Sequence, residues 1–326
     1  MTLTRLQESR TLVLRIPAGV TFPPVEHGEG MATAPRVETH EKRVNPRTIM
    51  VDPLTPVIGA EIGGVDLSKP ISAEQLREIR DAFNAYHVLV FRDQVLTPED
   101  HKRFGSLFGT LHVHPYNAQK GKAGGAADPE IYVVEADQSS RYVAGEVWHS
   151  DVTCEAEPPM GSMLYITKTP EIGGGDTCFI SAIRAYEALS PLMQEFVKSL
   201  TATHDGAKLY VGAHGNAPPP GGWPKATHPV VTRHPDNGKQ VLFVNRGFTT
   251  RINELSPEES DALLEFLYRH LETHVEFQCR VRWYPNTLTF WDNRAVQHHS
   301  VWDYFPYSRY GQRVSILGTR PKAAIR

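Results

Sequence analysis

At 326 residues, 40% hydrophobic and 22% charged, the chain has the composition of a soluble globular protein and enough length to bury a large core, as one domain or two. A formal net charge of −3 and a pI near 6.6 leave no sequence-wide basic field for nucleic acid, and the longest apolar runs, such as Val88-Leu-Val-Phe91, are far too short to span a bilayer. Cys154, Cys178 and Cys279 are scattered without a Cys-x-x-Cys pair, which argues against a disulfide framework or a zinc site; the N-terminus does not read as a signal peptide, so the expected location is the cytoplasm.

Residues 1–47 read as an N-terminal extension, partly disordered, rich in Pro, Glu, Arg and Gly around one apolar patch, Leu12–Ile16. From 48 to 326 a single domain is expected. Ile49–Val51 and Ile58–Ile62 read as short strands. Ser72-Ala-Glu-Gln75 is a capping box opening a helix with Leu76, Ile79 and Phe83 on one stripe. Val88–Phe91 follows as a buried strand. Thr97-Pro98-Glu99-Asp100 starts a second helix, with Phe104, Leu107 and Phe108 on its buried side.

Tyr132–Val134 and Ser162–Ile166 are strand candidates, and Gly173-Gly-Gly-Asp-Thr177 is a turn feeding Cys178–Ile180. Ser181 and Ser190-Pro191 cap two short helices, the second expected to bury Leu192, Phe196 and Leu200. Residues 206–225, with Pro218-Pro-Pro-Gly-Gly222, carry no regular pattern and read as a lid or binding loop. Val241–Val244 is a strand, and Ser256-Pro257-Glu258-Glu259 opens the longest helix, which buries Leu263, Leu264, Leu267 and Leu271. Phe277–Trp283 alternates as a half-exposed strand; Leu288–Trp291 and Arg313–Leu317 close the set. Many strands, few helices and no βαβ rhythm predict a mainly β fold with flanking α-helices, a sandwich or jelly roll.

Two distant stretches carry metal-binding side chains. In Trp148-His149-Ser150-Asp151 the imidazole and carboxylate, two residues apart on an extended strand, project the same way and can share one ion. Alone such a pair is commonplace, more often hydrogen-bonded than ligating. Downstream, Trp291-Asp-Asn-Arg-Ala-Val-Gln-His298-His299 offers a third ligand; neighbouring strand residues face opposite ways, so only one of His298 and His299 can reach the ion. Two histidines and one carboxylate with open positions mark non-haem Fe(II) oxygenases. Such an iron needs a reductant, and 2-oxoglutarate would chelate it through one end while an arginine clamps its far carboxylate. Arg309, eleven residues after His298, is placed for the next strand of a hairpin; Arg313, four further on, falls on the same strand face. A pair of surface arginines is the plain alternative. Thr177 can bring a hydroxyl to the same carboxylate, or simply end a β-turn.

Taken together, Trp148-His-Ser-Asp-Val-Thr153, Gly174-Gly-Asp-Thr177, Asn245-Arg-Gly-Phe-Thr-Thr-Arg251, Trp291-Asp-Asn-Arg294, Gln297-His298, Asp303-Tyr304, Arg309, Arg313 and Gly318 resemble the taurine dioxygenase / TfdA family of Fe(II)- and 2-oxoglutarate-dependent dioxygenases. The resemblance runs from about Val51 to Pro321. It implies a distorted double-stranded β-helix (jelly roll, cupin-like), with His149, Asp151 and His298 on iron, and Thr177 and Arg309 on the C5 carboxylate of 2-oxoglutarate; it also selects His298 over His299. It further implies O2 as the second co-substrate. His114, in Leu111-His-Val-His114-Pro115, and Arg313 match the residues that hold the sulfonate in sulfonate-using members, and Val152, Tyr210 and Phe248 complete the implied substrate pocket.

The chain departs from taurine-specific members at Asn117, where they carry Tyr, and at Gly145, where they carry Asn. Both positions belong to the amine end of their pocket, so a larger or uncharged tail is expected. The implied reaction hydroxylates the carbon next to the sulfur group of a small organic anion, a sulfonate or alkyl sulfate ester. Aldehyde plus sulfite or sulfate is released, with succinate and CO2. The alternatives are cleavage of an aryloxyalkanoate, a non-catalytic anion-binding relative, or a zinc hydrolase. No nucleic-acid or membrane partner is expected, and the chain is expected to form a homo-oligomer, dimer or tetramer.

Overall fold

Helix starts lie where local chemistry puts them in the computed structural model, which describes residues 44–115, 117, 128–213, 215, 217–219 and 221–324. The extension expected over 1–47 therefore lies, apart from 44–47, outside the described residues. After the hairpin β1 (Met50–Pro53) and β2 (Ala60–Gly63), α1 (Ala73–Tyr86) opens on a reciprocal capping box: the Ser72 hydroxyl accepts the Gln75 N–H, and Gln75 Oε1 accepts the Ser72 N–H, both at 3.1 Å. β3 (Val88–Phe91) and α2 (Pro98–Ser106) follow, the helix capped by Thr97 and Asp100 in the same way.

Glu78, on the inward side of α1, ties down the chain entering β1 by accepting the N–H groups of Arg47, Thr48 and Ile49 and the Thr48 hydroxyl. The Thr48 hydroxyl above all, with those amides, lowers its pKa from 4.5 to about 2 against the opposing effect of burial. A folded pKa below the unfolded one contributes stability that is present above pH 4.5 and lost as pH falls through about 2. Glu78→Gln is therefore expected to lower Tm at neutral pH and to flatten the fall of Tm between those pH values, as thermal melts across the range would show.

The remaining elements are β4 (Leu111–His112), β5 (Tyr132–Ala136), β6 (Gly161–Lys168), β7 (Thr177–Ser181), α3 (Ala182–Glu187), α4 (Pro191–Lys198), β8 (Thr201–Asp205), β9 (Lys225–Pro229), β10 (Val231–Arg233), β11 (Gln240–Leu242), β12 (Thr249–Ile252), α5 (Pro257–Thr273), β13 (Gln278–Val281), β14 (Thr287–Asp292), β15 (Val296–Ser300) and β16 (Arg309–Ile316). The main sheet runs β1-β2-β3-β14-β6-β16-β4, with β5 also on β16; smaller sheets are β13-β7-β15, β12-β8-β9 and β10-β11. Strand alternation divides the main sheet between two cores. Leu89, Phe91, Met163, Tyr165 and Phe290 pack under α1 and α2, where Phe83 stacks on Phe290 with ring centroids 3.9 Å apart. Val88, Val90, Leu164, Ile166 and Trp291 face the other way, joining Phe179 and Ile180 of β7 and the buried leucines of α5. This is the jelly roll, and the site lies between its sheets.

Three local expectations need correction. β15 and β16 are not a hairpin: β15 pairs with β7, whereas β16 pairs with β4, β5 and β6. The linker contains Asp303-Tyr304, whose side chains fold back on the Gly-rich turn. α4 buries Val197, with Met193 and Leu200 against the core, and leaves Leu192 and Phe196 83% and 43% exposed. Both stripes satisfy the helical period; tertiary contact selects the one rotated by one residue. Lys208–Ala213 forms a π-helical turn inside the stretch expected to lack regular structure.

Candidate active site

His149 and Asp151 do not lie on a continuous strand. His149 makes an isolated antiparallel bridge with His298, each backbone N–H donating to the other's carbonyl, at 3.1 and 2.8 Å. The chain then turns sharply at Val152, a β-branched residue held at φ 49°. The bridge sets the two imidazoles 4.1 Å apart by centroid, and the turn swings the carboxylate beneath them. The Nε2 atoms of His149 and His298 lie 3.6 and 3.9 Å from Asp151 Oδ1, too far for hydrogen bonds. One donor atom from each residue falls within 4.8 Å of the others, and all three residues are buried.

His149 Nδ1 lies 2.7 Å from the Val147 carbonyl, so that nitrogen carries the proton and Nε2 keeps its lone pair toward Asp151. Burial, with His149 beside it, holds His298 well below the ordinary histidine range and so neutral. For Asp151 burial pushes upward, but the Arg313 guanidinium beside it overrides this and keeps the carboxylate ionised. Two imidazoles and one carboxylate, clustered on one side, fit a divalent iron with open positions. His299 turns away and packs against Trp148.

The carboxylate is oriented from outside. Ser162 Oγ donates to Asp151 Oδ2 at 2.7 Å, and Arg313 Nη1 donates to Oδ1 at 2.6 Å. Asn293 Oδ1 accepts the Asp151 N–H and the Trp291 indole N–H, and its amide donates to Ser162 Oγ. Ser162 and Asn293 had no assigned role in the sequence; Asn293 sits inside the Trp291–Arg294 motif, while Ser162 gives no local signal.

A cavity of about 330 Å³ opens on this cluster. His114, Tyr132, Val152, Thr177, Tyr210, Phe248 and Arg313 all line it. His114 packs at a tilt against Tyr132, ring centroids 4.6 Å apart, and meets the Tyr210 hydroxyl at 3.3 Å. Burial first, then Arg313 and His112, depress its pKa well below the usual value, so it offers a neutral hydrogen bond, not a charge. Arg313 lies over Tyr132 at 4.9 Å, and its Nε has no partner among the described residues, a donor left for a ligand. Asn117 is turned away, its amide donating to the Ile131 carbonyl, and Tyr116 is outside the described residues. Gly145 lines the wall at φ 89°, where a Cβ would come within 3.2 Å of His149 and Ser300.

Arg309 stands behind this wall. It is 2% exposed, lies 5.4 Å over the Trp283 ring, and its Nε and Nη2 meet no acceptor among the described residues. The Trp283 indole donates to Thr177 Oγ1 at 3.0 Å, joining the two positions through one side chain. Gly175 wraps the guanidinium closely: a Cβ there would fall 3.1 Å from Arg309 Cδ and the Tyr304 ring. A buried cation with unused donors fits an anionic ligand such as a carboxylate.

A second buried trio, His87, His234 and Asp292, is chemically closed. Asp292 accepts the backbone and side-chain N–H groups of Arg294 and His234 Nε2–H, while His234 Nδ1 accepts the Asp236 and Asn237 amides. Those bonds occupy the carboxylate on both oxygens, and the trio reads as an ion-paired brace.

The family model for taurine catabolism dioxygenase TauD, TfdA family, matches residues 50–315. The chain is 31% identical over 291 residues to an alpha-ketoglutarate-dependent sulfonate dioxygenase of Saccharomyces cerevisiae, covering 84% of this chain and 68% of that protein. It is 32% identical over 276 residues to an alkylsulfatase of Acinetobacter baylyi, covering 81% and 84%. The crystal structure of a taurine dioxygenase from Burkholderia xenovorans superposes with a TM-score of 0.71 at 32% identity, covering 84% of this chain and 93% of that one. The chain belongs to the TauD/TfdA family and is a 2-oxoglutarate-dependent dioxygenase that uses Fe(II) and O2.

Proposed function

We propose that the enzyme oxidises the carbon next to the sulfur group of a small sulfonate or alkyl sulfate ester, with His149, Asp151 and His298 holding the iron. The observation that carries this is a cavity in which Arg313, its Nε unsatisfied among the described residues, and the neutral His114 face the apolar side chains of Val152, Leu209 and Phe248. Iron with 2-oxoglutarate supplies O2 activation and the oxidising power for C–H hydroxylation. The chain's own groups bind and orient. Arg309 and Thr177 would anchor the far carboxylate of 2-oxoglutarate, fixing its chelating end toward the metal. Arg313 would supply the charge for the sulfur oxyanion and His114 a directional hydrogen bond, while Val152, Tyr210 and Phe248 keep water from the reacting carbon.

Among the described residues, the acids on the cavity wall are Asp151, already engaged, and Glu135, on an exposed rim. Among the described residues, no carboxylate on the inner wall is free for an ammonium group, and Gly145 leaves space where a side chain would crowd His149. Both favour an uncharged alkyl tail over taurine. The resemblance to a sulfonate dioxygenase and to an alkylsulfatase supports the same class.

Succinate release with Fe(II), ascorbate and 2-oxoglutarate, across sulfonates, alkyl sulfates and aryloxyacids, tests the proposal; activity with Zn(II) in place of Fe(II), or with aryloxyacids alone, overturns it. His114→Ala removes a bond to a charged group worth about 1.5–3 kcal/mol, so substrate KM is expected to rise roughly 10- to 150-fold while uncoupled 2-oxoglutarate turnover persists. Unchanged KM would remove the sulfur-anion assignment and leave the cofactor chemistry standing. The reading includes a cytoplasmic location and a homo-oligomer, supported by the apolar side chains exposed on α4 and α5; light scattering should give a mass above the 36.5 kDa monomer. Among the described residues, no helix is long and apolar enough to cross a membrane.

A further inference from the structure

Val152 stands between a proposed metal ligand and the turn behind the cavity, in a backbone conformation unfavourable to a β-branched residue. Such a conformation stores about 1–3 kcal/mol and persists only where neighbouring groups over-determine it. The neighbours converge on the next residue, Thr153, which is 1% exposed. Its hydroxyl accepts Asn245 Nδ2–H at 3.0 Å and meets His204 Nδ1 at 2.9 Å. Its carbonyl, with that of Glu155, meets His228 Nε2 at 2.9 and 3.0 Å. Asn245 is itself fixed, its Oδ1 accepting the Phe248 N–H and its own N–H donating to Thr249 Oγ1. His204 and Asn245 are 0% and 2% exposed, so these bonds compete with no water.

We infer that Thr153 is a positioning residue. Its hydroxyl and carbonyl, held by Asn245, His204 and His228, keep Val152 in the left-handed conformation that lets one turn present Asp151 to the metal and Val152 to the substrate. Phe248 hangs on the same network through its backbone amide, so the apolar wall and the strained turn share one support. On the other side Asp151 is fixed by Ser162 and Asn293, and Arg309 and Thr177 belong to other strands. The network therefore governs the substrate end of the cavity and leaves the 2-oxoglutarate end alone.

The test compares Thr153→Val, which keeps the shape and removes the hydroxyl, with Thr153→Ser, which restores it. It rests on the dioxygenase reading, and two readouts separate the failures. Calorimetric binding of an alkyl sulfate to Mn(II)-loaded protein does not depend on turnover, and wild-type succinate release reports on the reading itself. Thr153→Val is expected to weaken alkyl sulfate binding and raise its KM by tenfold or more. The share of 2-oxoglutarate consumed without product should also rise, with KM for 2-oxoglutarate within twofold of wild type; Thr153→Ser should recover most of the loss. In the Val152→Gly background the strain is gone, and the same Thr153→Val change should cost at least threefold less in KM. Wild-type substrate binding in Thr153→Val, equal losses for both co-substrates, no recovery with Ser, or an undiminished effect beside Val152→Gly each overturn the inference.

Discussion

Alanine at His149 is expected to abolish succinate formation, by more than roughly a thousandfold. Losing only an outer hydrogen bond to a metal ligand commonly lowers metal affinity or activity by about 10- to 100-fold. Losing a donor atom outright would remove one of the three protein bonds proposed to hold the ion. The imidazole's Nδ1–H to the Val147 carbonyl is lost too, but the backbone bridge to His298 involves no side-chain atom, so the fold should survive. Asp151→Ala is a harsher change. It strips Arg313 of its carboxylate in a site where both side chains are at least nine-tenths buried, and such orphaned charges are destabilising by about 3–5 kcal/mol. His149→Ala and Asp151→Asn are therefore the informative pair. Iron content and succinate release, measured beside a thermal melt, check the expectation; a His149→Ala protein that retains stoichiometric iron and turnover places the metal elsewhere.

Removing Arg309 should act in opposite directions on binding and on stability. Its guanidinium is buried over Trp283 with two nitrogens unsatisfied among the described residues, and burial outweighs the help that Tyr304 and Asp176 give its charge. Arg309→Met removes that burden, and the melting temperature without 2-oxoglutarate is expected to stay the same or rise. Truncating one side of a buried, hydrogen-bonded charge pair costs about 2–5 kcal/mol in binding, which sets a rise of roughly 30-fold or more in KM for 2-oxoglutarate. The thermal shift that 2-oxoglutarate gives the wild type should vanish with it. An unaltered KM would mean that another cation takes the C5 carboxylate.

What could be read in the sequence was what local chemistry decides. Ser72, Thr97 and Ser256 start their helices because capping is settled within four residues, and Val88–Phe91 is buried on both faces as its unbroken apolar run requires. The three histidine and aspartate positions came from motif order, and the structure brings them within reach of one another. Strand partners are another matter. The 298–309 segment is as compatible with a hairpin as with two strands in different sheets, and contacts far along the chain decide. The one-residue rotation of α4 is likewise invisible to a periodicity that both faces satisfy. Ser162, Trp283 and the bonds on Thr153 are ordinary residues made significant by what lies across from them, and no spacing announces such company.

The backbone rungs between His149 and His298 bear on how the enzyme recovers from damage. Main-chain bonds set the spacing of the two imidazoles, so that spacing does not depend on a bound ion. A chelator should then extract the metal from a protein that stays folded, and fresh ferrous salt should restore it at the pace of simple exchange. An oxidised centre would in that case be replaced without rebuilding the polypeptide around it.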